Sequence, residues 1–163
     1  MYDYEPIIKI NNNLTLREIS ICDLDDILEY SQDKDFTKYL SFVATKDNTK
    51  EFIININNDI KNHKRLYWGI QTDGKIVGTI GFLNLTKDKA EIGFGISTNY
   101  WGSGISNICL SFLLDYAKTK LNIKKITIGT AINNKRSINF IKKFDFIVDY
   151  SNQSTIYFYK YLS

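Results

Sequence analysis

AEIGFGISTNYWGSGISNICLSFLLDYAKTKL, residues 90–121, runs from a strand-like segment through a Gly-Ser-Gly turn into a helix-like segment. AEIGFGIS has the short apolar character of a strand. From Ile105 onward, Ile108, Cys109, Phe112, Leu113, Tyr116, Ala117 and Leu121 recur at helical spacing. Between them, Gly102, Ser103 and Gly104 carry so little side chain that the backbone either turns sharply or admits a close neighbour.

Working outward, LYWGIQT and KIVGTIGFLNL flank Asp73-Gly74, a strong hairpin signal, and AEIGFGIS extends them as an antiparallel meander after Lys87-Asp88. On the other side, KKITIGT reads as a buried strand and NKRSINFIKKF as a helix, followed by strands in FIVDY and TIYFYKYL. Nearer the start, LTLREI is a strand, Ser20 caps a helix through DLDDILEY, and a second helix spans Asp47 to His63 with Phe52, Ile53, Ile56 and Ile60 on one stripe. Residues 31–45, SQDKDFTKYLSFVAT, fit neither period, yet their Phe36, Tyr39, Leu40 and Phe42 suit a pocket wall. The Asn runs at 11–13 and 55–58 read as compositional bias. The resulting order is β α α β β β α β α β β, an α/β (α+β) fold whose mixed, mostly antiparallel sheet gains parallel pairing in its second half.

The 163 residues suit a single domain, and 44% hydrophobic with 24% charged residues is a globular composition. A net charge of +3, with lysines spread over helices and a strand without interleaved aromatics, gives no reason to expect nucleic acid as a partner. No apolar run approaches the ~20 residues of a membrane span and MYDYEPIIKI is not a signal sequence, so no membrane association and a cytoplasmic location are expected. Cys22 and Cys109 lie in separate helical patterns and read as reduced, packed thiols; the lone His63 argues against a His-based metal site.

The Gly-Ser-Gly turn sits where the sheet passes from antiparallel to parallel pairing, a junction that leaves a cleft. The N–H groups of Gly102, Ser103, Gly104, Ile105 and Ser106 at the helix start would suit a phosphate or pyrophosphate. No Gly-Lys-Ser/Thr follows, and no Gly-x-Gly-x-x-Gly follows a first strand, which leaves a coenzyme A loop or a tight turn with no ligand.

Residues 89–146, with YWGSG, then LLDYA, then NKRSINFIKKFDF, resemble the core of the GNAT N-acetyltransferases, in the branch similar to ribosomal-protein alanine acetyltransferases. With the hairpin, LTLREI and the first helices, the resemblance covers nearly the whole chain. It implies a GNAT-like sheet of about seven strands flanked by about four helices, acetyl-CoA as cosubstrate and no metal. The family's loop pattern, Gln/Arg-x-x-Gly-x-Gly/Ala, is kept at Gly104, while Trp101 replaces the polar first residue and Ser106 the final small one. By this resemblance Phe94, Gly95 and Ile96 hold the pantetheine arm like an added strand, Asn134 holds it from the other side, and the Ile96 N–H polarises the thioester carbonyl. Lys135 and Arg136 either reach the coenzyme's 3′-phosphate or are simply solvated.

Acetyl transfer to an amine needs a base, because an amine of pKa about 10 is almost wholly protonated at neutral pH. Glu91, on a face shared with Gly93 and Gly95, is the candidate base; the other reading is a solvent-facing acid balancing Lys87 or Lys89. The glutamate and tyrosine that relatives place elsewhere are replaced by Gly129 and Ile141, and the resemblance offers Ser137 as the acid. Asp145 stands where the family has a glycine, in a conformation Asp tolerates. The acceptor is a protein or peptide N-terminal amine, or a small amine such as an amino sugar or sugar nucleotide. A coenzyme A-binding module without transferase activity is the reading from a different class. A homodimer through TIYFYKYL is possible on sequence, as is a role for that strand in finishing the core.

Overall fold

The computed structural model describes residues 2–163. Two strands, β1 (Ile7–Asn11) and β2 (Leu14–Arg17), form an opening hairpin. They are followed by α1 (Leu24–Ser31), the short α2 (Lys34–Thr37) and α3 (Lys46–Lys61). The meander β3 (Leu66–Thr72), β4 (Lys75–Leu83) and β5 (Lys89–Ile96) leads into α4 (Ile105–Thr119). The chain closes with β6 (Lys125–Ala131), α5 (Lys135–Lys142), β7 (Ile147–Ser151) and β8 (Thr155–Tyr161). The sheet order is β1-β2-β3-β4-β5-β6-β8-β7, with every neighbouring pair antiparallel except β5 and β6.

Local chemistry explains most of these boundaries. Ser20 Oγ accepts from Cys22 N at 3.3 Å while the Asp23 carboxylate accepts from Ser20 N at 2.9 Å, so the two residues cap the turn that enters α1. Asp23 also receives Arg17 Nη2 at 2.7 Å. Burial opposes its ionisation, but the Arg17 and Ser20 donors outweigh burial and hold its carboxyl below the usual range. Thr45 and Asn48 cap α3 reciprocally. Asp73 and Gly74, at φ 52° and 73°, make the tight β3–β4 hairpin that their sequence announces.

The core lies on both faces of the sheet. On one face Leu16, Ile80, Phe82, Ile92, Ile126 and Phe158 pack with Leu110 and Leu113 of α4 and Ile141 of α5. On the other, Ile19 and Ile76 pack with Ile27 of α1 and Ile53 and Ile56 of α3. Phe52, grouped with that stripe by spacing, lies 37% exposed at its margin.

Eight strands and five helices are close to the about seven strands and about four helices expected. The added strand β1 is an edge strand with alternate residues exposed, so its apolar signal is weak, and the Asn run beside it is its hairpin turn, where Asn11 Oδ1 accepts from Asn13 N at 2.8 Å. The added helix α2 falls inside the aperiodic 31–45 segment. It is a single turn closed by Asp33, whose Oδ1 accepts from the N–H groups of Asp35 and Phe36, and one turn is too short for a helical period to show. The TIYFYKYL strand, β8, is paired on both sides, by β6 and β7, which closes the route to a dimer through its backbone. Both cysteines are free, with Cys109 buried and Cys22 exposed rather than packed.

Candidate active site

Strand β5 pairs with β4 from Glu91 to Ile96 but with β6 only from Lys89 to Glu91, opposite Lys125 to Thr127. Beyond Glu91 the parallel strands separate into a fork. Ser97 N donates to Val77 O of β4 at 2.7 Å, and backbone groups alternate sides along a strand, so Gly93 and Gly95 also turn theirs toward β4. Phe94 and Ile96 therefore present their N–H and C=O groups to the open edge, where no strand pairs with them.

The fork opens toward the start of α4. Gly102 and Gly104 lie at φ 75° and 88°, and a Cβ at either would touch nothing, so backbone conformation rather than crowding requires glycine at both. Among the described residues the N–H groups of Gly102, Gly104, Ser106 and Asn107 meet no acceptor, as expected of a helix start. Ser103 N is spent on Tyr100 O at 3.2 Å, and Ile105 N faces Ser103 Oγ at 3.4 Å. Of the residues singled out by sequence, Gly102, Gly104 and Ser106 thus offer open donors, while Ser103 and Ile105 shape the loop. Tyr100 Oη donates to Asp73 Oδ2 at 3.0 Å, tying the loop to the β3–β4 hairpin.

At the closed end of the fork, Glu91 is half-buried opposite Thr127, the last residue of β6 that pairs with β5. Its Oε2 accepts from Asn84 Nδ2 at 2.7 Å, and it forms no ion pair with Lys87 or Lys89. Strand alternation puts its side chain on the face that carries Gly93 and Gly95. The space above those glycines is filled by side chains: the Phe36 ring edge lies 3.3 Å from where a Gly95 Cβ would stand, and Tyr67 and Leu83 crowd Gly93 in the same way. Phe36 is backed edge-on by Tyr30 at 5.2 Å between centroids. Below it Tyr67 Oη and Thr79 Oγ1 are 3.2 Å apart. Burial pushes the phenol of Tyr67 up, although Thr79 and Arg65 pull it back in part, so this hydroxyl is no base near neutral pH.

On the opposite face, α5 is anchored to β5 by stacking of Phe140 on Phe94, with centroids 6.0 Å apart. Asn134 caps α5, its Oδ1 accepting from Ser137 N at 3.2 Å, which leaves the Asn134 NH₂ group able to donate. Ser137 is half-buried, and its hydroxyl makes no hydrogen bond among the described residues. Ile141 is 1% exposed in the core, a packing role. A Cβ at Gly129 would stand 2.9 Å from the Tyr157 ring, so no side chain fits there. Asp145 adopts φ 62°, the left-handed conformation at the end of α5. Among the described residues no group of three or more His, Cys, Asp or Glu side chains is arranged to hold a metal ion, and no helix is long and apolar enough to cross a membrane.

Residues 13–147 match the acetyltransferase (GNAT) domain family. The chain belongs to the GNAT acetyltransferase family. This GNAT protein is 28% identical over 139 residues to the uncharacterized N-acetyltransferase p20 of Bacillus licheniformis, across 82% of this chain and 78% of the relative. The structure of the microcin C7 self-immunity acetyltransferase MccE, in complex with acetyl-CoA and AMP, shares its fold with a TM-score of 0.83 at 20% identity, over 96% of this chain and 97% of that one. An acetyl transferase from Salmonella typhimurium that modifies the N-terminal serine of the 50S subunit protein L7/L12 also gives 0.83, at 15% identity, over 96% and 99%. At these identities the structural likeness is one of fold.

Asn84 and the contact between Trp101 and Arg136 escaped the sequence reading, while Phe36 was expected to wall a pocket without its partner Gly95 being foreseen. Asn84 sits in a turn and Phe36 in an aperiodic segment, and neither carries a local signal of what it touches.

Proposed function

We propose that this GNAT acetyltransferase works as one cytoplasmic domain that takes its acetyl group from acetyl-CoA and passes it directly to a primary amine. A protein or peptide N-terminal amine is the first acceptor class and a small amine the second. The observation that supports this is the fork: an unpaired strand edge at Phe94 and Ile96 leading to unsatisfied N–H groups at the start of α4. An amide-rich pantetheine arm matches a free strand edge, and a pyrophosphate matches a helix start. The Asn134 NH₂ group closes on the arm from the α5 side.

Acetyl-CoA, when bound, supplies the activated acyl group as a thioester. The Ile96 N–H points into the fork and donates to the thioester carbonyl oxygen, where negative charge grows. Glu91, steadied by Asn84, accepts the proton that the acceptor ammonium must lose. The Ser137 hydroxyl, uncommitted within the protein, gives a proton to the departing sulfur. Phe36 and Tyr67 wall the acceptor side. The N-terminal serine modified by the Salmonella typhimurium protein supports ranking peptide amines first.

Release of coenzyme A from acetyl-CoA, followed against N-terminal peptides, polyamines, amino sugars and amino-sugar nucleotides, tests the proposal. Turnover with peptides is expected. Turnover only with a sugar amine replaces the acceptor class, and acetyl-CoA binding without turnover on any amine favours a binding module without transferase activity.

A further inference from the structure

The two cores leave one face of the second half of the sheet uncovered. Residues paired across strands share a face, so the row begun by Glu91 continues through Thr127 of β6 and Tyr159 of β8 to Ile147 of β7. The row toward the fork runs from Gly129 to Tyr157 and Tyr150, and the row on the other side from Lys89 to Lys125 and Tyr161. Neither core includes Ile147 or any of these four tyrosines. Ile147, Tyr150 and Tyr161 are 59%, 56% and 67% exposed, a continuous apolar surface of the kind that marks a contact site.

Contacts among the rings hold them against the sheet. Tyr157 covers Gly129, where a Cβ would stand 2.9 Å from the ring, and Tyr150 stacks on Tyr157 with centroids 4.6 Å apart. The Lys125 ammonium lies 5.0 Å from the Tyr159 centroid and 5.7 Å from that of Tyr161. Rings meet an ammonium on one side only, so it keeps N–H donors for a carboxylate. β6 and β8 contain no Asp or Glu, and among the described residues neither Lys125 nor Lys89 forms an ion pair. The face is therefore aromatic and positively charged, and Glu91 stands at its inner end.

Reach and charge together choose the occupant. Neighbouring strands lie about 4.8 Å apart, which puts Tyr159, two strands from Glu91, about 10 Å away from it. Extended chain covers about 3.4 Å per residue, so a peptide with its amino nitrogen at Glu91 brings its third and fourth residues over β8. There its flat peptide groups meet tyrosine rings, and an acidic side chain meets Lys125. Resting on the reading of a peptide N-terminus as the acceptor, we infer that the open face of β6, β8 and β7 holds the acceptor's third and fourth residues and that Lys125, fixed against Tyr159 and Tyr161, selects an acidic side chain among them.

The test follows coenzyme A release with tetrapeptide amides that share their first two residues and carry Asp-Asp, Ala-Ala or Lys-Lys at the third and fourth. The unaltered protein should show a KM roughly tenfold lower for Asp-Asp than for Lys-Lys, at similar kcat, because the reacting amine is the same in each. Lys125→Gln should bring the three KM values together. Tyr159→Leu, which keeps apolar bulk but removes a ring from beneath the ammonium, should leave only part of the preference. Calorimetric titration with acetyl-CoA checks that each variant is folded. Equal KM values for the unaltered protein, or a preference that survives Lys125→Gln, overturns the inference and leaves the peptide reading standing. Turnover of sugar amines or nucleotide-linked amines with none of the peptides overturns that reading as well. A dimer in solution that Tyr150→Asp dissociates puts a second copy on this face and overturns the inference alone.

Discussion

Along one edge β5 pairs with β4 from Glu91 to Ile96, and along the other it pairs with β6 for three residues, Lys89 to Glu91, before the strands part. At the closed edge the backbones approach so tightly that a Cβ on Gly78 would run into the carbonyl oxygen of Gly95 and stand 3.0 Å from Ile96 Cα. At the open edge Phe94 and Ile96 hold donors and acceptors that the protein leaves unpaired. Both edges belong to one strand of one composition, so pairing is decided by the neighbour. β4 leads into β5 through the short loop 84–88 in continuous register, whereas β6 arrives only after α4, and α4 needs room to start.

The most damaging way to break this contrast is Gly78→Val, which forces β4 and β5 apart. A loss of about 3 kcal/mol is expected, with a Tm lowered by about 10 °C in a circular-dichroism melt. An unchanged Tm would mean that the closed edge yields readily. At the junction of the two edges, Glu91→Gln should lower turnover by about a hundredfold or more, with acetyl-CoA affinity unchanged by calorimetry. Equal turnover would remove Glu91 from the proton path. Asn134→Ala removes the cap whose Oδ1 accepts from Ser137 N, so about 1 kcal/mol of stability and some coenzyme affinity should go together. A stability change without an affinity change would limit Asn134 to capping.

The smallest effect sharpens the contrast from beneath. Cys109 faces the core from α4, and burial pushes its thiol up to about 12, while Cys22 is exposed. At pH 8 a thiol reagent should modify Cys22 alone, with or without coenzyme A, because filling the fork does not open the core. Linkage has a definite sign here. The unfolded thiol ionises near 9.0 and the folded one only near 12, so this group leaves stability untouched below pH 9 and erodes it as pH rises toward 12. A constant Tm from pH 9 to 11 would count against burial of the thiol.

Some of the site was legible in one dimension. Asp73-Gly74 announces its hairpin through left-handed φ, the apolar spacing from Ile105 to Leu121 announces α4, and the glycines at 102 and 104 announce a turn at its start. The LTLREI strand puts Leu16 in the larger core and Ile19 in the smaller one, as alternation implies. By contrast β1 alternates in burial but exposes the apolar Ile7, which blurs the pattern in sequence, and Cys22 follows a helical pattern yet faces solvent because that segment is a single capped turn.

The sequence by itself determined the order of elements, the composition of the cores and the position of the phosphate-side turn, because backbone preferences and hydrophobic periods act between residues a few positions apart. Tertiary structure alone decided that β5 and β6 part after Glu91, that Asn84 holds that carboxylate, that Phe36 lies over Gly95 and that Arg136 stacks on Trp101. Those contacts join positions separated by loops and helices, and what sets them is the packing of whole elements against one sheet.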